Sequence, residues 1–414
     1  TRHLDGAVAH FLRNPLNQQL PRKVKVSFSG CEADCAQGLI HDLGIVATRR
    51  GEHSGFTVLA GGGLGHKPHE AITVAEFIEE QDLLPAMEAV ITLHNKHSDR
   101  TKRAKSRIKF LVDRFGEEGF VERFNEEFVR TRAALAEVEW WASATGGCDI
   151  TSVYVGGGTP TLALDSVAAV IDRIRGRFRL IGDIAIETNP ADVDATTVAR
   201  LRDMGVALVS LGVQSFHAAH LEAIGRTYVP ATAGDALSRL VSAGFASVNA
   251  DLMFALPGQT AEEVVADLDR AAALGADQVT AYPLFTFPYT PVGQYLRLND
   301  VQLPNLRARR TQYRAICGWS ARRGFDRVSV WGFKRGSAPR YSSVTRSGYI
   351  GIGPGAGSHL PGGFAFNSFD YATWSQAARG GGPAVALWMP FSPERAGWWW
   401  LYWRLYDTRI PLDD

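Results

Sequence analysis

From residue 150 onward the chain alternates short β-type runs with amphipathic helical runs. That alternation restricts its C-terminal part to a parallel sheet covered by helices. The strands read from the pattern are Ser152–Val155, Asp183–Thr188, Leu208–Gly212, Ser247–Leu252 and Gln278–Pro283. Between them apolar residues recur at helical spacing, as in Val167, Val170, Ile171 and Ile174. Ligands of such sheets bind beyond the carboxyl ends of the strands. The polar and glycine signals fall there: Gly156-Gly157-Gly158-Thr159-Pro160, Glu187-Thr188-Asn189-Pro190, Gln214 and Asp251. A small zwitterionic ligand needs a backbone-lined notch for its amine, a cation for its carboxylate and acceptors for a ribose. Gly156 to Gly158, Arg226 and the pair Glu187/Asp251 offer those chemistries. On pattern alone, helix caps at Glu187 and Asp251 and a surface charge at Arg226 account for them equally well.

The first part of the chain has another texture. Val24, Val26 and Phe28 alternate with polar positions, which predicts a half-buried strand. Further strands are predicted over 41–46 and 56–60, the last running into Gly61-Gly62-Gly63. Those glycines allow close backbone approach to a bulky ligand or simply form a loop. Helical patterns cover 73–80, 84–94 and 102–139, and Gly116 and Gly119 divide the last into two or more helices. Beyond residue 325 shorter strands and glycine-rich turns are expected.

A chain of 414 residues exceeds one ordinary core and predicts two or three domains. With 44 basic and 43 acidic side chains the net charge is +1, which excludes bulk attraction to nucleic acid or an anionic membrane. The basic runs at 100–109 and 307–310 read as solvated faces. No apolar run approaches the ~20 residues of a membrane span, and the tryptophan-rich segment 398–403 is too short. No signal peptide is visible, the chain opens on Thr1 rather than Met, and both ends read as cut. Four scattered cysteines, Cys31, Cys35, Cys148 and Cys317, do not make a disulfide scaffold, and a reducing cytoplasm is the expected compartment.

Six segments appear in order: VYVGGGTPTL from Val153, IETNP from Ile186, SLGVQSF from Ser210, IGRTY from Ile224, DLMFALPGQT from Asp251 and IGIGPGAGS from Ile350. Together they resemble the oxygen-independent coproporphyrinogen III oxidase family of radical SAM proteins, which also contains heme chaperones and heme-degrading methyltransferases. The resemblance covers about residues 130–410. It implies a (β/α) partial barrel in which Gly156, Gly157, Gly158 and Thr159 hold the amine of S-adenosylmethionine (SAM). Glu187, Gln214, Arg226 and Asp251 would contact its methionyl group, ribose and polar surroundings. The family carries a Cys-x3-Cys-x2-Cys loop after its first strand, whose thiolates hold a 4Fe-4S cluster that binds SAM and delivers the cleaving electron. Here only Cys148 lies nearby, no such triplet exists in the chain, and one barrel strand is absent with it. Cys148 reads as a small buried hydrophobe or a loop residue. Reductive SAM cleavage is therefore not expected.

Residues 1–135 carry a second resemblance. LPRKVKVSFSG from Leu20, HDLG from His41, VLAGGGLGHKPHEA from Val58 and RAKSRIKFLVDRFG from Arg103 resemble one siroheme-binding half of nitrite/sulfite reductases. Siroheme is polycarboxylate and its substrates are anions, so cations must line the pocket. The resemblance implies that Lys23 and Lys25 face the anion and that Arg103, Lys105 and Arg107 lie in a stretch contacting the macrocycle. Cys31 and Cys35 have the spacing of half a four-thiolate cluster set. A pair alone does not hold 4Fe-4S, and the surrounding context resembles the half that lacks cluster cysteines. His66 and His69 are spaced as a metal pair, and exposed loop histidines explain them as well.

The expected architecture is thus α/β. An α+β siroheme-reductase half-domain spans 1–132, an incomplete radical SAM (β/α) partial barrel spans 133–325, and a C-terminal extension of the coproporphyrinogen oxidase-like family spans 326–414. The seam falls within one helix, without a Pro/Gly/Ser linker. The function implied is that of a tetrapyrrole-linked protein with a SAM-like pocket and no intact cluster, its small-molecule partners being SAM and a tetrapyrrole. Two alternatives stay open: a non-catalytic heme or siroheme carrier, and a non-functional recombinant of two genes.

Overall fold

A computed structural model of the chain describes residues 2–12, 20–65, 67–285, 302–342 and 348–410. It opens with helix α1 (Arg2–Leu12), strands β1 (Val26–Ser29), β2 (Leu43–Arg50), β3 (His53–Ala60) and β4 (Ile72–Glu79), and helices α2 (Leu83–His97) and α3 (Ile108–Phe115). The strands form one sheet in chain order, β1 parallel to β2 and the other pairs antiparallel. Its core packs Leu43, Ile45, Phe56 and Val58 of the sheet against Met87, Val90 and Leu93 of α2 and Ile108, Leu111 and Val112 of α3.

Two expectations for this region are corrected. Residues 73–80, read as helical, lie largely in strand β4. Its buried apolar residues Val74 and Ile78 are four apart, a spacing that repeats on one face of a helix and of a strand alike, and pairing with β3 decides between them. The expected half-buried strand forms as β1, with Val24 and Phe28 packed partly against the core, but its fully buried side chains are Ser27 and Ser29, and Val26 is 38% exposed. The reason is local: the Ser29 hydroxyl donates to Asp34 at 2.5 Å and accepts from the Ala36 amide at 3.1 Å, so this polar face pins the loop that follows.

Gly116, at φ +74, ends α3 and opens the 29-residue helix α4 (Glu117–Thr145), whereas Gly119 lies inside that helix without breaking it. This helix serves three cores in succession. Phe120, Phe124 and Phe128 complete the N-terminal core. Ala133 packs with Trp374 and Ala378, and Val138 and Trp141 pack with Ile174 and Phe178.

The strand–helix alternation then appears as β5 (Asp149–Val155), α5 (Leu164–Arg177), β6 (Arg179–Thr188), α6 (Ala195–Asp203), β7 (Val206–Gln214), α7 (Ala218–Ala223), α8 (Pro230–Ser242), β8 (Ser247–Phe254), α9 (Ala261–Ala273), β9 (Gln278–Pro283) and α10 (Leu306–Arg323). Strands β5 to β9 are parallel neighbours in chain order. Beyond β9 the sheet is extended antiparallel by β11 (Gly332–Arg335) and then β10 (Phe325–Arg327). At the other end β5 is the edge: among the described residues no strand pairs with its far side.

The chain closes with β12 (Gly357–Leu360), β13 (Gly363–Asn367), helix α11 (Tyr371–Arg379), β14 (Val385–Pro390) and helix α12 (Pro393–Tyr406). The three strands form a separate antiparallel sheet. Among the described residues no helix is long and apolar enough to cross a membrane.

Candidate functional site

Side chains on alternate residues of a strand share a face, so Ser210 of β7, Asn249 and Asp251 of β8, and Thr280 and Tyr282 of β9 line one surface of the parallel sheet. They are hydrogen-bonded as a set. Ser210 donates its hydroxyl to Asp251 at 2.7 Å, and the Asn249 amide donates to Ser210 at 2.7 Å and to Asp251 at 2.8 Å. Thr280 donates in turn to the Asn249 carbonyl at 3.0 Å. Desolvation pushes the Asp251 carboxyl up to about 6, and the nearby Glu187 charge adds to the rise against the lowering effect of Ser210 and Asn249.

Glu187, near the end of β6, turns toward the glycine loop. It accepts the Gly157 amide at 3.2 Å and the Tyr154 hydroxyl. Burial, and next the Glu187 charge, push the Tyr154 hydroxyl well above the usual phenol range. Gly157 has φ +112, a conformation that side-chain-bearing residues rarely adopt, and a Cβ there or on Gly158 would meet nothing within 4 Å. The notch is therefore open at those two residues. At Gly156 it is not: a Cβ would lie 2.4 Å from the Tyr154 hydroxyl, so the tyrosine ring rests against that glycine. Thr159 is half-buried and its carbonyl accepts the Leu162 amide at 3.0 Å.

Gln214 ends β7 with φ 64 and is buried, and its side-chain oxygen accepts the Tyr282 hydroxyl at 2.8 Å. Arg226 is exposed and has no ion-pair partner among the described residues, but its charge acts on Tyr282 and on Tyr228. Burial holds the Tyr228 hydroxyl up at about 12, and it donates to the carbonyls of Gly212 and Val213 at 2.8 and 3.1 Å, fixing the end of β7. Five residues escaped the sequence reading: Tyr154, Tyr282, Ser210, Asn249 and Thr280. For Asn249 the signal available was its alternation with the candidate Asp251 on β8; β9 carried no candidate from which Thr280 and Tyr282 could have been reached. Tyr341, which also escaped it, contacts the Tyr154 ring at 6.0 Å between centroids, and no local pattern marks it.

The N-terminal candidates are more scattered. Lys23, Lys25 and Lys105 are exposed, and the Lys25 backbone amide donates to Asp42 at 3.0 Å. The side chain of Arg103 and all of His66 lie outside the described residues. Arg107 grips Asp42 bidentately at 2.9 and 2.8 Å, and Asp42 is 1% exposed, so this guanidinium is engaged within the protein. The adjoining glycines accommodate the chain itself: a Cβ on Gly62 would lie 2.4 Å from the Leu39 carbonyl, and one on Gly63 2.9 Å from Arg107. His69 faces Asp113 at 3.5 Å. Cys31 and Cys35 are both exposed on the loop held by Asp34, and Cys148 is exposed just before β5, a loop residue rather than a buried one. Among the described residues no group of three His, Cys, Asp or Glu side chains is placed to hold a metal ion.

Comparison with known proteins divides the chain in the same region as its texture does. Residues 1–131 match the family described as the nitrite and sulphite reductase 4Fe-4S domain, and residues 119–271 match the radical SAM superfamily. The matches overlap on α4. Anaerobilin synthase of Escherichia coli is 30% identical over 304 residues, which cover 70% of this chain and 68% of that protein. The heme chaperone HemW of Lactococcus lactis is 31% identical over 219 residues, covering 51% of this chain and 58% of that protein. The chain thus spans 58% and 68% of the length of these relatives. The structure of coproporphyrinogen III oxidase from Escherichia coli superposes with a TM-score of 0.60 over 68% of this chain and 69% of that one, at 20% identity, which shows a common fold.

Proposed function

Because the chain belongs to the radical SAM family that includes anaerobilin synthase and the heme chaperone HemW, we propose that it acts in heme or related tetrapyrrole metabolism with a SAM pocket and without reductive SAM cleavage. One observation carries this reading. A 4Fe-4S cluster needs three thiolates converging beside the pocket, and the four cysteines of this chain are spread over an N-terminal loop, the approach to β5 and helix α10. The strand that would carry such a loop is also missing, since β5 is the edge of its sheet among the described residues. The residues present do not fit the cluster.

They do fit SAM. The open notch at Gly157 and Gly158, the Glu187 carboxylate beside it and an exposed Arg226 with no ion-pair partner among the described residues match an amino acid's ammonium and carboxylate groups. Asp251, bonded to Ser210, and the bonded pair Gln214 and Tyr282 are the polar groups that would meet a ribose. When bound, SAM supplies a sulfonium-activated methyl and adenosyl group. The chain's own residues would hold it: Glu187, which accepts the Gly157 amide and the Tyr154 hydroxyl, would take the ammonium, and the loop from Gly156 to Thr159 would line the notch. Anaerobic titration of the full chain with SAM by calorimetry tests the pocket, with saturable binding expected. Assay for 5′-deoxyadenosine after iron and sulfide reconstitution tests the missing cluster, with none expected.

A second reading is a tetrapyrrole carrier. It is favoured by the exposed aromatic side chains of α12, Trp398 at 65% and Tyr402 at 58%, on a relative of a protein named heme chaperone. Exposed Lys23, Lys25 and Lys105 on the N-terminal unit suit an anionic macrocycle such as siroheme. Heme and siroheme titrations followed at the Soret band decide it, and an unshifted band removes it.

A further inference from the structure

We infer that the cleft between the β10–β11 hairpin and the carboxyl end of α12 binds a small polyanion carrying at least two carboxylate or phosphate groups. The cavity measures about 470 Å³ and its charged lining is Asp326, Lys334, Arg340, Arg404, Asp407 and Arg409. Two of the cations are already engaged. Arg340 pairs with Asp407, and the Lys334 ammonium donates to the Gly336 carbonyl. Arg404 and Arg409 are left, and neither has an ion-pair partner among the described residues.

Arg404 carries the argument further. Its guanidinium lies over the Trp400 ring at 5.5 Å, and its Nε is buried with no hydrogen-bond acceptor among the described residues. A buried, unsatisfied donor on a charged group costs free energy, and a second unpaired cation in the same cleft adds repulsion. An anion in the cleft relieves the repulsion, and the guanidinium fork is shaped for two-point binding of carboxylate or phosphate. The cleft is also preorganised: the Val330 amide donates to the Tyr406 carbonyl at 2.8 Å, and the Arg409 amide to the Arg404 carbonyl at 3.2 Å. Lys334 pairs in register with Gln278, the first residue of β9, so this cleft lies toward the amino ends of the parallel strands, away from the notch at Gly157.

The test is a titration of the full chain with inorganic pyrophosphate and, separately, with tricarballylate, read by calorimetry and tryptophan fluorescence at fixed ionic strength. Saturable one-site binding is expected, weakened at least ~10-fold by Arg404→Gln and by Arg409→Gln. Arg395→Gln removes the same charge from the first turn of α12 outside the cleft and is expected to bind as the parent does. Arg409 is exposed, so its variant keeps the test alive if Arg404→Gln fails to fold. Binding of pyrophosphate alone assigns a phosphate ligand, of tricarballylate alone a polycarboxylate, and of both the shared chemistry. Absence of saturable binding to either, or equal weakening by Arg395→Gln, overturns the inference.

Discussion

The indole N–H of Trp374 donates to the carboxylate of Glu137 at 2.9 Å, joining residues 237 apart in sequence. The same carboxylate accepts the Asn367 amide at 2.7 Å and the Gly353 backbone N–H at 2.9 Å, and it is fully buried. Glu137 lies on α4, the helix that also packs the N-terminal core, so one side chain ties the helix joining the two matched families to the C-terminal sheet. Replacing it by alanine removes the acceptor of three donors, of which the Trp374 indole and the Asn367 amide are on buried side chains, the latter keeping its bond to the Gly353 carbonyl. Glu137→Ala is expected to cost about 3–5 kcal/mol and Glu137→Gln clearly less, measured by denaturant unfolding.

Asp251 makes a pH prediction. In the folded chain its carboxyl titrates at about 6, above the ordinary 3.8 that it regains on unfolding. Between those values the folded state holds the extra proton, so its contribution to stability is complete below about pH 4 and is lost as pH rises through about 6. The size is at most about 3 kcal/mol at 1.4 per unit. Melting temperatures taken from pH 4 to 7 are expected to fall less steeply in Asp251→Asn than in the parent. Parallel slopes would remove this account of Asp251.

Arg107 and Asp42 predict a contrast within the basic N-terminal set. Arg107→Ala leaves a carboxylate buried without its ion pair and is expected to destabilise by about 3 kcal/mol. Lys23→Ala, at an exposed side chain, is expected to stay within about 0.5 kcal/mol. Chemical unfolding of the two variants side by side reads the difference.

Tyr154 predicts a gain. Its hydroxyl occupies Glu187 and its ring crowds Gly156. Tyr154→Phe removes the competing hydrogen bond, worth about 1 kcal/mol, so SAM affinity is expected to rise about 5-fold. Gly157→Ala, which forces a side chain onto φ +112, is expected to abolish binding with the fold intact by circular dichroism.

The parallel sheet was legible because its strands are buried and separated by amphipathic helices. Gln278–Pro283 coincides with β9, and the other four predictions fall inside β5 to β8; the missed ends of β5 and β6 bury little, whereas those of β7 and β8 include buried Val206, Val213, Gln214 and Phe254. The glycine loop after β5 and Glu187 near the end of β6 stood out in the sequence for the same reason, and the structure brings them together through the Gly157 amide. Three things were not. The 73–80 segment carries an i, i+4 pair compatible with two periodicities. Ser27 and Ser29 are buried for the sake of a loop, which hydrophobic patterning does not encode. Arg107 reads as a ligand-facing cation until its long-range partner Asp42 is seen, 65 residues away.

This barrel is proposed to bind SAM and to lack the cluster with which to cleave it. The most direct measurement is low-temperature EPR of the full chain after anaerobic reconstitution with iron and sulfide and reduction by dithionite, with and without SAM. No 4Fe-4S signal that changes when SAM is added is expected. A reduced-cluster signal shifted by SAM, accompanied by 5′-deoxyadenosine, would contradict it.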